Sequence, residues 1–214
     1  MSKISHIIGA APLCGLDTDI IKECDKDDLI IAADGGFIPL IKNNIVPSVL
    51  IGDFDSLNIN EYKLPEGIEI IRLKPEKDFT DVHSAILHAI DLGYKDFRLY
   101  GVIGGARIEH TIANLSLLSW LAGEGFNAVI YSPQNIFRCI HNDMITFDDT
   151  HTGFISVFST TDKSRGVSIG GMKYELSDAV LTSTYPLGVS NEFIPDKKSS
   201  ISVSDGTLLI VYSR

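Results

Sequence analysis

Residues 29–36 read LIIAADGG, five apolar residues that run directly into an aspartate and two glycines. A short apolar run of this kind is typical of a strand in a parallel sheet whose two faces are covered by helices. The Asp-Gly-Gly that follows indicates a turn at the carboxyl end of the strand. In open parallel sheets, ligands bind beyond the carboxyl ends of the strands. The segment therefore predicts an α/β fold with Asp34 at a ligand-binding edge.

Similar strand patterns alternate with helical patterns over residues 1–132. In residues 82–90 the apolar positions recur at helical spacing, and Gly93 follows as a stop. We expect strands at 4–10, 29–33, 49–52, 68–73, 97–100 and 128–131, and helices at 37–43, 82–90 and 111–122. This alternation predicts an N-terminal α/β domain, residues 1–132, with a mainly parallel sheet covered on both faces.

The pattern changes at the turn formed by residues 132–135, Ser-Pro-Gln-Asn. Beyond it the helical spacing disappears and short apolar runs are separated by turn residues. We expect strands at 136–140, 144–147, 154–158, 174–176, 179–182, 201–204 and 208–212. Many short strands with frequent turns predict a second domain, residues 133–214, that is an antiparallel sandwich or barrel.

The composition argues against several classes of function. Lys and Arg number 18 and Asp and Glu 28, so the formal net charge is −10 at pH 7. An acidic chain is a poor partner for nucleic acid, because phosphate backbones attract basic surfaces. The apolar run at 4–10 is too short to span a membrane and makes a poor signal peptide. The three cysteines show no C-x-x-C pair, so we expect reduced thiols and a cytoplasmic location.

Acidic side chains follow three of the expected strands of the first domain: Asp34, then Asp53 and Asp55, then Asp78 and Asp81. In an extended Asp-x-Asp segment the two carboxylates point to the same side. Paired carboxylates with substrate phosphates are the ligand set that Mg²⁺ prefers. Because the three loops share one edge of a parallel sheet, we predict a metal–polyphosphate site.

Each acidic group also has a plain structural interpretation. Residues 53–56 could form a surface turn, and Asp34 before two glycines could do the same. Asp78 could cap the amino terminus of the helix that follows.

A glycine-rich stretch, YGVIGGARIEH at 100–110, joins a strand to a helix. Glycines such as Gly104 and Gly105 let backbone N–H groups approach a phosphate, and Arg107 could grip phosphate oxygens. The spacing matches neither common nucleotide-binding motif. The alternative is a simple strand-to-helix turn with a surface Arg107 and a structural His110.

The acidic and glycine-rich motifs recur in an order that resembles bacterial thiamine pyrophosphokinases. The matching pieces are DGG (34–36), GDFDS (52–56), KDFTD (77–81), GGARIEHTIANL (104–115), GGMKYEL (170–176) and GVSNE (188–192). The resemblance implies an N-terminal α/β domain joined to a C-terminal β-sandwich, in a homodimer. It also implies transfer of the terminal diphosphate of ATP to the thiamine hydroxyl with Mg²⁺, releasing AMP.

The resemblance assigns roles residue by residue. It implies that the catalytic and metal-binding cluster is Asp53, Asp55, Asp78 and Asp81. It further implies that ATP and its phosphates are bound by Asp34, Lys77, Gly104, Gly105, Arg107 and His110.

For thiamine the resemblance points to Ser190 and Asn191, in a segment that faces the α/β domain of the other subunit. The alternative structural interpretation of Ser190 and Asn191 is a turn before a strand. The chain departs from the family pattern Gly-Gly-Arg-x-Asp-His, because Ala106 precedes Arg107 and Glu109 stands in place of Asp.

Two other functions stay open. A related pyrophosphokinase group acts on a 6-hydroxymethylpterin and shares the acidic Gly-Asp-x-Asp-Ser stretch, but the Ser-Asn-Glu segment favours thiamine. A non-catalytic thiamine or nucleotide sensor is the other alternative. A sensor that only binds its ligand has less need of a dense acidic cluster than an enzyme does.

Overall fold

The computed structural model describes residues 3–13, 15–55, 62, 64–76 and 78–214. The chain divides into two compact units. Unit 1 is Met1–Asn114 with Ile130–Pro133, and unit 2 is Leu115–Val129 with Gln134–Arg214. We propose that the two functional domains are residues 1–132 and residues 133–214.

Unit 1 contains a parallel sheet with the strand order β5-β1-β2-β3-β4. Its strands are β1 (Ile4–Ile8), β2 (Leu29–Ala33), β3 (Val49–Gly52), β4 (Glu69–Arg72) and β5 (Asp96–Tyr100). Its helices are α1 (Gly15–Lys22), α2 (Phe37–Lys42) and α3 (Asp81–Asp91). The predicted α/β architecture with a mainly parallel sheet is confirmed.

The core of unit 1 includes the central strands β2 and β3, whose sequences are continuously apolar up to their last residues. In β2, Ile31 and Ala32 are fully buried, as is Leu50 in β3. The helical spacing of residues 82–90 is also confirmed, because the side chains buried on α3 are Val82, Ala85, Ile86 and Ala89. Burial on both sides of the sheet explains why these strands are continuous apolar runs.

Helix α4 (Ile108–Gly123) and strand β6 (Asn127–Tyr131) each contain residues of both units. The sequence predicted the two elements at 111–122 and 128–131. Although α4 is largely apolar, no helix in the part of the chain that the structure describes is long and apolar enough to cross a membrane.

Unit 2 is built from two antiparallel sheets, with strand orders β12-β9-β14-β7 and β11-β10-β13-β8. Its strands are β7 (Asn135–His141), β8 (Met144–Phe147), β9 (Phe154–Ser159), β10 (Lys163–Gly170), β11 (Leu176–Thr182), β12 (Gly188–Glu192), β13 (Ser199–Ser202) and β14 (Thr207–Ser213). One buried cluster joins Val157 and Ile210 of the first sheet to Val167 and Ile201 of the second. The arrangement is therefore a sandwich.

Three elements were not predicted, and one predicted strand was wrong. Helix α1 and strands β10 and β12 contain no long apolar run. In β10, Val167 and Ile169 are buried, but the third buried position is polar: the Ser164 hydroxyl bonds to Ser159 Oγ at 2.8 Å and to the Thr207 carbonyl at 3.2 Å. Residues 174–176 are not a strand, because β11 begins only at Leu176.

Candidate active site

A cavity of about 610 Å³ lies at the carboxyl ends of the parallel strands in unit 1. Nine of the predicted site residues line it: Asp34, Asp53, Asp55, Asp78, Asp81, Gly104, Gly105, Arg107 and His110. Lys77 lies outside the described residues, so its role stays a prediction. The segments that follow all five parallel strands contribute, as expected for an open parallel sheet.

Asp34 occupies its place because three strand ends approach one another closely. It follows β2 directly, with φ of 44°, and opens a short 3-10 turn, Asp34–Gly36. A Cβ on Gly36 would lie 2.0 Å from the Ile8 carbonyl oxygen, so only glycine fits there. A Cβ on Gly52 would lie 3.1 Å from the Asp34 Cβ. Asp34 is thus in a turn, as its structural interpretation predicted, and also at the cavity.

Asp53 and Asp55 reach the same cavity by a different geometry from the one predicted. The segment is not extended, because Phe54 between them has φ of 61°. The Phe54 ring is buried in the core of unit 1, and the Arg72 guanidinium lies over it at 5.0 Å. The Asp55 backbone N–H donates to Asp53 Oδ1 at 3.2 Å, which holds the turn. An inward-facing Phe54, rather than strand alternation, puts the two carboxylates together.

Asp78 and Asp81 stand at the amino terminus of α3. The helix is capped by Thr80, whose hydroxyl accepts a hydrogen bond from the His83 backbone N–H at 3.2 Å. The expected alternative, that Asp78 caps this helix, is therefore wrong. Asp81 is the first helical residue, where a negative charge is favourable, and both carboxylates line the cavity.

The glycine-rich loop that follows β5 also lines the cavity. Gly104 and Gly105 have φ of 89° and 81°, a conformation that favours glycine. The Gly104 N–H donates to Thr111 Oγ1 at 2.9 Å, so in this structure it braces the start of α4. Arg107 is largely exposed, and its Nε donates to Glu109 Oε1 at 2.8 Å. That hydrogen bond lowers the pKa of Glu109.

One polar residue of the cavity was missed as a site residue. Asn114 is 3% exposed, lines the cavity, and donates from Nδ2 to the Val102 carbonyl at 2.8 Å. An asparagine within an otherwise apolar helical segment was the signal that could have identified it. Its bond ties α4 to the loop that follows β5.

The charge of the cavity is strongly unbalanced. Five aspartates line it, and among the described residues Arg107 is the one Lys or Arg that does so. Carboxylates gathered in one cavity repel one another unless cations offset them. Among those residues, no three of the carboxylates bring one oxygen each to within 4.8 Å of the others. This open arrangement suits a hard divalent cation that takes one or two carboxylates and completes its shell with phosphate oxygens and water.

Ser190 and Asn191 lie in β12 of unit 2, at an irregularity in its pairing with β9. They belong to a strand, so the alternative of a turn before a strand is wrong. Ser190 is exposed, with φ of 61°.

Asn191 is 3% exposed, and its amide is engaged with backbone. Its Oδ1 accepts from the Tyr174 and Glu192 N–H groups, both at 2.9 Å. Its Nδ2 donates to the Tyr174 carbonyl at 2.7 Å. The side chain thereby joins the two C-terminal motifs, 170–176 and 188–192.

Comparison with known proteins agrees with this geometry. The family model "Thiamin pyrophosphokinase, catalytic domain" matches residues 20–130, just over half of the chain. A second model, "Thiamin pyrophosphokinase, vitamin B1 binding domain", matches residues 144–208. The first match contains all the predicted acidic loops, and the second contains β12.

Similar proteins cover nearly the whole chain. A thiamine pyrophosphokinase from Bacillus subtilis (strain 168) is 25% identical over 214 residues, 99% of each chain. The crystal structure of the enzyme from Bacillus subtilis has a TM-score of 0.86 at 24% identity, over 99% of each chain. That of a thiamin pyrophosphokinase from Candida albicans has a TM-score of 0.81 at 17% identity, over 100% of this chain and 90% of the other. The chain therefore belongs to the thiamin pyrophosphokinase family.

Proposed function

We propose that the cavity of unit 1 is where this thiamine pyrophosphokinase transfers the terminal diphosphate of ATP to the hydroxyl of thiamine, giving thiamine diphosphate and AMP. One observation carries the proposal: acidic side chains from three separate strand-end loops line the same cavity as a glycine-rich turn and Arg107. The parallel sheet explains why the three loops share one edge, but it does not require that each loop place a carboxylate in the cavity.

We propose that a divalent metal, Mg²⁺, binds within the set Asp53, Asp55, Asp78 and Asp81, with one or two of these carboxylates as direct ligands. The donor set fits, since all four are carboxylates in one cavity and Mg²⁺ prefers oxygen ligands. When bound, the cation neutralises charge on the phosphate oxygens. Asp34 lies beside them, near the substrate or the metal.

The polyphosphate would lie between these carboxylates and the glycine-rich loop. Arg107 would donate to phosphate oxygens, for which its planar guanidinium is well suited. Gly104 and Gly105 keep that side of the cavity free of side chains, and His110 lines it nearby. Lys77 is proposed to add a second positive charge.

The reaction forms a bond between the thiamine hydroxyl oxygen and the β-phosphorus of ATP. The bond between that phosphorus and the oxygen bridging to the α-phosphorus breaks, and the bridging oxygen leaves with AMP. The hydroxyl proton passes to a base, for which a carboxylate of the cluster is available. Such a displacement depends mainly on in-line positioning and on charge neutralisation.

The match of the vitamin B1 binding domain supports thiamine over a pterin as the acceptor. We propose that Ser190 and Asn191 belong to the thiamine-binding segment, with Asn191 shaping it through its bonds to Tyr174. We also propose a homodimer in which this segment faces the α/β domain of the other subunit. The cytoplasmic location stays a prediction.

The test is to incubate the protein with ATP, Mg²⁺ and thiamine and to identify the products by ³¹P NMR and chromatography. AMP and thiamine diphosphate in equal amounts are expected. ADP would instead indicate transfer of a single phosphate, and absence of turnover would favour a sensor. Turnover with 6-hydroxymethylpterin but not with thiamine would favour the pterin-type alternative.

A further inference from the structure

A second cluster of possible metal ligands lies in unit 1, away from the acidic cavity. It comprises His6 in β1, Cys24 just after α1 and Asp28 just before β2. One ligand atom from each side chain lies within 4.8 Å of the other two. Among the described residues it is the one His, Cys, Asp or Glu group that meets this criterion. None of its three residues lines the acidic cavity.

The cluster lies toward the amino ends of β1 and β2, whereas the proposed catalytic site lies at the carboxyl ends of the parallel strands. Asp28 precedes the first residue of β2, and its Oδ1 accepts from the N–H of Ile4, the first residue of β1, at 2.8 Å. The acidic cavity, by contrast, is lined by residues that follow the carboxyl ends of the same strands. A ligand held here would not meet ATP.

The geometry between His6 and Asp28 is unusual for a hydrogen bond. His6 Nε2 and Asp28 Oδ2 are 3.5 Å apart, in side chains that are 4% and 6% exposed. Nε2 is buried and makes no hydrogen bond of good geometry, so the Asp28 carboxylate at this distance is its polar contact. A good N–H···O bond would be about 2.9–3.0 Å long. Two ligands bound tetrahedrally to zinc at about 2.0–2.2 Å are separated by about 3.4 Å, close to the observed distance.

Neighbouring groups favour metal binding by His6, Asp28 and Cys24. His6 Nδ1 lies 3.4 Å from the Tyr100 hydroxyl, and an Nδ1–H donated there would leave the Nε2 lone pair facing the cluster. Asp28 Oδ2 is held by the Asp25 N–H at 3.1 Å. Burial lowers the pKa of His6, against the opposing effect of Asp28, and so favours the neutral ring that a metal ligand requires. Burial and the nearby Asp28 raise the pKa of Cys24, and a cation would offset both effects.

We propose that His6 Nε2, Cys24 Sγ and a carboxylate oxygen of Asp28 form a binding site for a borderline divalent transition-metal ion such as Zn²⁺. A nitrogen, a sulfur and an oxygen ligand favour such an ion over Mg²⁺, which takes oxygen ligands. The ion would fasten the chain after α1 to the starts of β1 and β2. Its role would be structural, and it would leave the chemistry of the acidic cavity unchanged.

The test uses Co²⁺ as a spectroscopic probe of the full-length protein after chelator treatment. One equivalent is expected to produce a thiolate-to-Co²⁺ charge-transfer band, which Zn²⁺ then abolishes. Carboxylates of the acidic cavity cannot produce this band, so the readout is independent of activity. Cys24→Ser should remove it, whereas Cys139→Ser should keep it.

A second measurement does not depend on the thiolate. Asp28→Asn should weaken Zn²⁺ binding by more than the roughly 10–100-fold that loss of a supporting partner costs. Zn²⁺ should raise the melting temperature of the starting protein and of Cys139→Ser, but not of Cys24→Ser. The proposal is overturned by the absence of a band at one equivalent, by its persistence in Cys24→Ser, or by equal Zn²⁺ stabilisation of Cys24→Ser.

Discussion

The Asp55 carboxylate in unit 1 is exposed at the cavity, whereas the Asn191 amide in unit 2 is buried and bonded on both its atoms to backbone. Both residues belong to motifs that resemble those of the family, and both are polar side chains next to a strand end. In Asn191 the hydrogen bonds are satisfied within the protein, so the side chain contributes to the shape of its segment. The Asp55 carboxylate faces the cavity, where a ligand can reach it.

This difference separates residues that act on a substrate from residues that hold the protein around it. The first kind should affect turnover with little effect on stability, and the second should do the reverse. Each variant below is paired with a control that tests this separation.

The largest effect is expected for Asp55→Asn. The change removes a negative charge from the proposed metal site and keeps the size of the side chain, so kcat should fall by at least about 100-fold. The free energy of unfolding should change by no more than about 0.5 kcal/mol, because the side chain is exposed. Steady-state kinetics and urea unfolding measure the two quantities.

The matched control is Asp149→Asn, an exposed aspartate of unit 2 outside the cavity. It should keep both activity and stability. Near-normal turnover of Asp55→Asn would remove Asp55 from the metal site.

The next effect is expected for Asn191→Ala and concerns stability. The change removes three hydrogen bonds to the backbone of Tyr174 and Glu192, each contributing about 0.5–1.5 kcal/mol. The free energy of unfolding should therefore fall by about 2–4 kcal/mol. Ser190→Ala is the control, since Ser190 is exposed and should affect the KM for thiamine without a comparable loss of stability. Equal stability of the two variants would contradict the structural role of Asn191.

A smaller effect is expected for Arg107→Gln. Losing a charged donor to phosphate should lower kcat/KM for ATP by about 10-fold, as loss of one charge-assisted hydrogen bond does. Glu109→Gln, which removes the partner of Arg107, should have a weaker effect, because water screens the attraction between these exposed side chains. If Glu109→Gln were the more damaging change, the ion pair rather than phosphate contact would explain Arg107.

The smallest effect is expected for Thr80→Ala. Loss of the cap on α3 should cost about 1 kcal/mol of stability. Thr80→Ser keeps the hydroxyl and should restore most of it. Thermal unfolding of both variants measures the difference, and unchanged stability of Thr80→Ala would show that the cap contributes nothing.

The strand ends and their acidic loops could be predicted because their signals are local. The run at 29–33 predicted β2 with its observed bounds, and parallel strands necessarily bring their carboxyl ends to one edge. The conformation between Asp53 and Asp55 could not be predicted in this way. It depends on the burial of Phe54 in a core that forms only on folding.

Other features depend on contacts distant in sequence. In β10 the apolar alternation is limited to Val167 and Ile169, because the third buried position is Ser164, whose hydroxyl bonds to strands β9 and β14. The role of Asn191 depends on Tyr174, 17 residues away in the chain. The sequence could not decide between Asp78 and Thr80 as the cap of α3, because both residue types favour that position.

We propose above all that the aspartates of unit 1 bind the divalent cation that accompanies ATP. The most direct test is an electron paramagnetic resonance titration with Mn²⁺, in place of Mg²⁺, together with a non-hydrolysable ATP analogue. We expect the starting protein and Asp149→Asn to bind Mn²⁺ and reduce the signal of the free ion, and folded Asp55→Asn to bind it at least about 10-fold more weakly. Equal Mn²⁺ binding by Asp55→Asn and the starting protein would contradict the account.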